Sequence, residues 1–164
     1  MRSLRTEIQI TASPEAVWEV LTDFSAFPEW NPLILEARGE LEEGSRIAVT
    51  LKAGEGRPFR VRPRLLRVSA HRELRWLGRV GLPGIFDGEH IFRIEPGPDG
   101  TGTRFIHMEN FRGILVPLLW KKLDSETRAG FEAMNQALKE RVEGGGHTPS
   151  PSPLGLGSAL SMDA

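Results

Sequence analysis

The sequence has 164 residues, 39% hydrophobic and 26% charged, with a net charge of −1 and no cysteine. This composition is typical of one globular domain, and it excludes disulfide bonds, thiol catalysis and thiolate metal sites. The small net charge gives no general attraction to nucleic acid or acidic membranes. We expect a cytoplasmic protein, because no apolar leader and no run of roughly 20 apolar residues is present.

The first elements in chain order are a strand and a helix. Alternating apolar and polar side chains predict a half-buried strand over residues 4–10. Ser13 and Pro14 favour a helix start, because serine can cap free N–H groups and proline suits the first turn. A short second helix containing Phe27 is expected to end at Pro28.

A series of strands and one long helix follow. The strand-like runs cover residues 33–39, 46–52, 60–65, 73–79, 88–94 and 103–111. Apolar spacings of three and four predict an amphipathic helix over residues 115–142, with Pro117 in its first turn. Gly130 is expected to allow either a close approach to the sheet or a bend. We expect one domain over residues 1–143 and a flexible tail rich in Gly, Pro and Ser over residues 144–164.

Three segments carry a resemblance to a known family: residues 11–23 (TASPEAVWEVLTD), residues 27–32 (FPEWNP), and residues 102–105 (GTRF) followed by Gly113 and the long helix. With this element order, the chain resembles the START-like or SRPBCC superfamily, which includes polyketide cyclases and lipid-transfer domains. The resemblance implies an α+β helix-grip fold. A curved antiparallel sheet of about seven strands, two short N-terminal helices and a long C-terminal helix would enclose an internal cavity.

Strand alternation predicts which side chains of the last two strands face that cavity. The charged Glu89 and Arg93 share one face and are expected in solvent. The expected inward side chains are His90, Phe92, Ile94, Phe105, His107, Glu109 and Phe111. Buried ionisable groups are costly unless they are paired, so the two histidines and the glutamate need an explanation.

Three interpretations of this polar group stay open. In the first, His107 or His90 bonds Glu109 and anchors the following helix. In the second, the group is the polar end of an apolar pocket and orients a carbonyl or hydroxyl of a ligand. In the third, the group is catalytic or binds a metal. The spacing matches no standard metal motif, and we expect no metal and no cofactor.

The remaining candidate residues are predicted from the strand and helix faces. The expected cavity walls are Val49, Leu51, Val61, Leu65, Trp76, Phe92, Phe105, Phe131 and Met134. Phe27, Trp30 and Asn31 are expected at the cavity mouth, where Asn31 would supply a hydrogen bond. Trp30 has an equal alternative as a core aromatic residue that closes the end of the sheet.

Function is expected to follow from the contents of the cavity. Members of the superfamily commonly bind hydrophobic small molecules, and only some are enzymes. We therefore expect binding of a lipid, a polyketide-like or an aromatic compound, as a carrier or sensor. As an enzyme, the chain would resemble a cyclase or dehydratase in which His107 paired with Glu109 removes a proton alpha to a carbonyl and His90 polarises the oxygen. A third possibility is a ligand-free interaction module akin to START-like chaperone regulators.

The surface sequence limits the expected partners. Seven arginines lie on neighbouring predicted strands and are expected to face outward: Arg60, Arg62, Arg64, Arg67, Arg72, Arg75 and Arg79. They form either a solvated convex face that nearby acids balance or a binding surface for an anionic partner. Exposed aromatic residues are missing there, which argues against nucleic acid. Lys121 and Lys122 follow the apolar residues 118–120, a pattern that is compatible with contact at a membrane surface but that we interpret as the start of the lid helix. We expect a monomer or homodimer without stable membrane insertion.

Overall fold

The computed structural model describes residues 1–52 and 56–145. Within these residues, the strands are β1 (Arg2–Ile10), β2 (Ile34–Arg38), β3 (Ala48–Leu51), β4 (Phe59–Val61), β5 (Arg64–Ser69), β6 (Glu73–Val80), β7 (Phe86–Pro96) and β8 (Thr103–Arg112). The helices are α1 (Pro14–Thr22), α2 (Phe27–Trp30) and α3 (Val116–Glu143), and a 3₁₀ turn (Phe24–Ala26) precedes α2. Most of the predicted tail, from residue 146 onward, lies outside the described residues.

The strands form two antiparallel sheets. The larger sheet has the order β1-β8-β7-β6-β5, and the smaller has the order β2-β3-β4. A single bridge between Arg46 and Arg64 connects them. The run at residues 60–65 is split, because Pro63 has no N–H to donate to a strand ladder: β4 ends at Val61 and β5 begins at Arg64. The predicted α+β helix-grip architecture is confirmed, with eight strands in the described residues rather than about seven.

The two ends of the domain are joined directly. Strand β1 pairs with β8 from Arg2 opposite Phe111 to Ile10 opposite Thr103, and α3 packs against β1. Gly130 permits a close approach of α3 to the connection between α2 and β2, because a Cβ atom there would lie 3.0 Å from Leu33 Cδ1. The long C-terminal helix therefore lies across the sheet, as predicted.

Local signals set the helix boundaries. The Ser13 side chain accepts a hydrogen bond of 3.3 Å from the Ala16 N–H, which confirms the predicted cap. Pro117 lies in the first turn of α3, also as predicted. The prediction for Pro28 is wrong: it lies in the first turn of α2, where its missing N–H needs no partner, and the helix continues to Trp30.

Core contacts place the predicted inward faces of β7 and β8 toward the core, since Ile91 and Ile106 on the opposite faces are buried as well but do not belong to the core cluster. Five aromatic or apolar side chains of this face are buried: Phe92, Ile94, Phe105, Phe111 and, from β6, Trp76. Phe131 and Met134 of α3 meet them from the other side of the core. The same face carries His90 and His107, which places two imidazoles inside an otherwise apolar interior.

Candidate functional site

Two histidines on neighbouring strands make direct contact in the core. His90 of β7 lies opposite Glu109 of β8, and His107 lies opposite Phe92. Both imidazoles point to the same side of the sheet, and their Nε2 atoms are 2.5 Å apart. One imidazole must therefore donate a hydrogen bond to the other.

Asn135 determines which histidine donates. His107 Nδ1–H donates to the Asn135 side-chain oxygen over 3.0 Å, and the Asn135 amide donates to Thr6 Oγ1 over 2.9 Å. A neutral imidazole that donates from one nitrogen accepts at the other. His107 therefore accepts at Nε2, His90 donates from Nε2, and His90 Nδ1 is left as an acceptor.

Burial keeps both imidazoles neutral. Loss of hydration lowers the pKa of His90 to about 3. It also lowers the pKa of His107 well below its usual value, and the neighbouring His90 adds to the effect. A charged imidazole is disfavoured in this apolar setting, so the directions of the hydrogen bonds are fixed at neutral pH.

Glu109 extends this arrangement toward the surface. Its side chain is 16% exposed, and Oε2 lies 3.8 Å from His90 Nδ1. Burial raises the pKa of Glu109 to about 8, so the carboxyl group is protonated at neutral pH. We call the series Thr6, Asn135, His107, His90 and Glu109 the polar chain. Its outer end is a neutral acid beside a free imidazole lone pair.

The polar chain corrects one expectation and adds two residues. The expected pairing of His107 with Glu109 does not form, because both ring nitrogens of His107 are engaged by Asn135 and His90. The glutamate lies beside His90 instead. Asn135 and Thr6 were not predicted. Asn135 follows Phe131, one of the apolar residues expected on the buried face of α3, by four residues. Helix spacing would therefore have placed Asn135 on the same buried face.

Aromatic rings fill the space around the histidines. Phe131 of α3 stacks on His107 with ring centroids 3.6 Å apart and an angle of 8° between the rings. Phe92 lies 4.7 Å from both imidazoles, and Trp76 lies 5.3 Å from His90. The interior beside His107 is therefore occupied by side chains.

The other candidate wall residues fall into two groups. Seven are buried: Val49, Leu65, Trp76, Phe92, Phe105, Phe131 and Met134. Leu51 and Val61 are only partly buried at the border of the core. The apolar surface that a ligand could reach without displacing the core therefore lies on β3 and β4.

The predicted mouth contains two buried donors that lack a partner. Phe27 is buried and packs its ring 5.4 Å from that of Trp30. The Asn31 side-chain oxygen accepts from the N–H groups of Leu33 and Ile34 at 3.1 and 2.8 Å. Among the described residues, neither Trp30 Nε1 nor Asn31 Nδ2 has an acceptor. Buried donors are nearly always satisfied in folded proteins, so these two are candidate ligand contacts.

Open clefts occur on the outer surface. One of about 680 Å³ is lined by α1 and the β5–β6 region, including Arg67, His71 and Glu73. Neither this cleft nor four smaller ones in the described part of the chain includes a member of the polar chain. Glu73 binds Arg75 at 2.8 Å, so part of the arginine face is balanced by acids.

The described residues also bear on metal binding and membrane crossing. In residues 1–52 and 56–145, no three His, Asp or Glu side chains are arranged to hold a metal ion. No helix in this part of the chain is long and apolar enough to span a bilayer.

An antiparallel sheet gripped by a long C-terminal helix defines the helix-grip fold. The family model described as "Polyketide cyclase / dehydrase and lipid transport" matches residues 1–143. The chain belongs to this family.

Solved structures share the fold at low sequence identity. The Zhui aromatase/cyclase from a Streptomyces species is 15% identical with a TM-score of 0.72, covering 89% of this chain and 96% of that one. A START superfamily protein from Mycobacterium smegmatis is 24% identical with a TM-score of 0.65, covering 87% and 97%. A Thermus thermophilus protein is 20% identical with a TM-score of 0.69, covering 89% and 100%. No curated protein matched the sequence.

Proposed function

We propose that this protein binds a small hydrophobic or amphipathic molecule, such as a lipid, a polyketide-like or an aromatic compound, as a carrier or sensor. The observation that carries the proposal is a set of polar groups without protein partners at an apolar border. Trp30 Nε1 and Asn31 Nδ2 are buried donors without acceptors among the described residues. An unsatisfied buried donor costs about 1–3 kcal/mol, and an oxygen atom of a ligand would remove that cost.

In this proposal the apolar part of the ligand packs against β3 and β4. Leu51 and Val61 are the partly buried members of the candidate wall, whereas Phe131 already covers His107. The neutral carboxyl group of Glu109, also partly exposed, would offer a hydrogen bond to a carbonyl or hydroxyl. Apolar walls with few polar groups are the usual composition of such sites.

Native mass spectrometry of the freshly purified full chain, followed by denaturing extraction, tests the proposal. We expect an added mass from a co-purified apolar compound. Val61→Trp should reduce its occupancy by filling the border of the core. Arg60→Trp, on the exposed face of the same strand, should leave it unchanged. A bare chain mass, with no uptake of a fluorescent fatty acid, would contradict the proposal and favour the ligand-free interaction module.

A cyclase or dehydratase activity is the second candidate, favoured by the protonated state of Glu109. A neutral carboxyl group can donate its proton to a carbonyl or leaving hydroxyl oxygen. Water then leaves, and the resulting Glu109 carboxylate takes up the proton released alpha to the carbonyl, which restores the acid. The similar fold of an aromatase/cyclase is consistent with this chemistry. Glu109→Gln should then keep the extracted compound bound while abolishing its conversion, followed as the loss of water. Equal conversion by both forms would exclude this role.

A further inference from the structure

A cluster of large aliphatic side chains is exposed at one end of the molecule. Leu82 lies in the β6–β7 connection and is 70% exposed, while Ile114 and Leu118 at the start of α3 are 77% and 81% exposed. Leu115 and Leu119 add further exposed apolar surface beside them. We call these five residues the apolar tip. Contiguous apolar surface of this kind on a folded protein usually marks an interaction site.

The two segments of the apolar tip are held together by backbone hydrogen bonds. The Ile114 N–H donates to the Gly84 carbonyl over 3.1 Å, and the Leu115 N–H donates to the Ile85 carbonyl over 3.3 Å. Gly113 has a φ of +128° and allows this approach, because a Cβ atom there would overlap the Ile85 carbonyl. The exposed leucines and isoleucine therefore form one surface rather than separate loop residues.

The acids that border the apolar tip are already paired. Asp87, which accepts from the Gly84 N–H over 3.3 Å, lies 3.4 Å from Arg79, and Asp124 lies 2.9 Å from Arg128. Residues 80–86 and 113–123 contain only two charged side chains, Lys121 and Lys122. Both are exposed. Lys122 lies 3.8 Å from Glu126 in a loose pair, and no described carboxylate lies within ion-pair distance of Lys121. The apolar tip is thus bordered by cations that are available to an anionic partner.

Helix geometry places the lysines directly behind the apolar side chains. Leu118 and Lys121 are three residues apart within α3, which places them on one side of the helix, and Ile114 lies in the turn that leads into it. Leu119 and Lys122 repeat the same spacing. When the first turn of α3 meets an apolar layer, both ammonium groups would lie one turn above it. Long lysine side chains can reach phosphate groups from that position.

We propose that the apolar tip docks on the surface of an anionic phospholipid bilayer. The leucine and isoleucine side chains enter the boundary between headgroups and acyl chains, and Lys121 and Lys122 bind lipid phosphates. Apolar burial combined with attraction between lysines and anionic lipids is sufficient for reversible interfacial binding. The docking leaves the fold intact and involves no membrane span. It does not depend on whether a ligand occupies the interior.

A second copy of the chain is a less favourable occupant of the apolar tip. In a two-fold symmetric dimer the same surface is presented by both subunits. The lysines would then meet another apolar tip and another pair of lysines, and neither segment contains an acid to receive them. Charge complementarity therefore favours the anionic membrane.

Vesicle flotation of the full chain tests the docking. We expect the protein to float with vesicles of phosphatidylcholine containing one quarter phosphatidylglycerol. It should float much less with pure phosphatidylcholine, and added salt should weaken the binding, because salt screens attraction between exposed charges. Failure to float with the anionic vesicles at low salt would overturn the proposal.

Three variants separate the contributions. Ile114→Ser combined with Leu118→Ser should lower the apparent vesicle affinity at least tenfold through loss of apolar burial. Lys121→Gln and Lys122→Gln should each lower it about fivefold on anionic vesicles only. Leu66→Ser is the control, because Leu66 is an exposed leucine on β5 that is not part of the apolar tip. Far-ultraviolet circular dichroism and thermal melting establish that each variant is folded.

Two further results would overturn the inference. One is equal flotation of the folded serine double variant and the Leu66→Ser control. The other is sedimentation of the native chain as a dimer that the serine double variant converts to a monomer, with no vesicle binding by either form. The second result would assign the apolar tip to self-association.

Discussion

Gly88 of β7 provides the space for the carboxyl group of Glu109 on β8. A Cβ atom at position 88 would overlap Glu109 Oε1. Position 78 on β6 is also glycine and pairs with Gly88, but a Cβ atom there would meet only the Gly88 carbonyl at an ordinary 3.8 Å. The two glycines therefore form a matched pair for testing how the outer end of the polar chain is held in place.

Gly88→Ala should displace the Glu109 carboxyl group from His90. Because the displaced group gains water, its pKa should fall from about 8 toward the ordinary value of 4.5. Stability should fall by about 1 kcal/mol, since Glu109 can move away from the added methyl group. Carboxyl carbon chemical shifts followed through a pH titration measure the change. Gly78→Ala should leave the titration of Glu109 where it is, and an unchanged titration in Gly88→Ala would refute this account.

The buried imidazoles should make the protein sensitive to acid. Their pKa values are lower in the folded than in the unfolded chain, so the unfolded state binds more protons below about pH 6.5. Each histidine should reduce the free energy of unfolding by roughly 1 kcal/mol per pH unit as the pH falls below that value. Urea unfolding of a Glu109→Gln background, which removes the opposing titration of the carboxyl group, isolates the effect.

His90→Gln in that background should remove about half of the acid dependence. His71→Asn is the control, because His71 is exposed and its φ of +61° is tolerated by asparagine. A control slope that falls as far as that of His90→Gln would show that the acid sensitivity arises elsewhere.

Glu109 should destabilise the fold progressively as the pH rises above about 4.5. Its pKa is raised in the folded state, so the folded chain retains a proton that the unfolded chain has already lost. Stability should therefore fall as the pH rises from about 4.5 to 8, by roughly 1 kcal/mol per pH unit, and then level off. Between pH 6.5 and 8 the titration of the histidines no longer changes the stability, so the decline in this range is due to Glu109. In Glu109→Gln the decline should disappear from urea unfolding curves, and persistence would assign it to another group.

Asn135 should stabilise the fold through its position between His107 and Thr6. Asn135→Leu removes the side-chain acceptor of His107 in a dry site and leaves the backbone of Phe131 as the remaining acceptor, which should cost about 1–2 kcal/mol. Gln136→Ala, the next residue on α3, should change stability by less than about 0.5 kcal/mol because Gln136 is exposed. Equal stability of the two variants in chemical denaturation would contradict the assigned hydrogen bonds.

Much of the fold and part of the site could be predicted from local sequence patterns. Alternation in β7 and β8 was sufficient to place His90, His107 and Glu109 on the inner face, because side chains of a strand alternate strictly between faces. The same rule gives no distances between neighbouring inward residues. It therefore could not decide that His90, rather than His107, lies beside the carboxyl group.

The undetected features depend on contacts between elements distant in sequence. Asn135 acquires its role only when α3 packs over β8, and the unpartnered donors at Trp30 and Asn31 are recognised only once burial is known. The separation of β4 from β5 at Pro63 could have been predicted from the sequence, because proline is disfavoured inside a sheet. The partners of the polar chain required the assembled core.

The pairing of β1 with β8 has a consequence for synthesis of the chain. Thr6 on β1 bonds His107 on β8 across 101 residues of sequence, so β1 has no strand partner until nearly the whole domain has followed it from the ribosome. Translation proceeds at about 5–20 residues per second, which leaves β1 unpaired for several seconds. Contacts of such long sequence separation also slow folding. Stable structure should therefore form late, after α3 has emerged, and nascent chains that end before β8 should remain accessible to proteases.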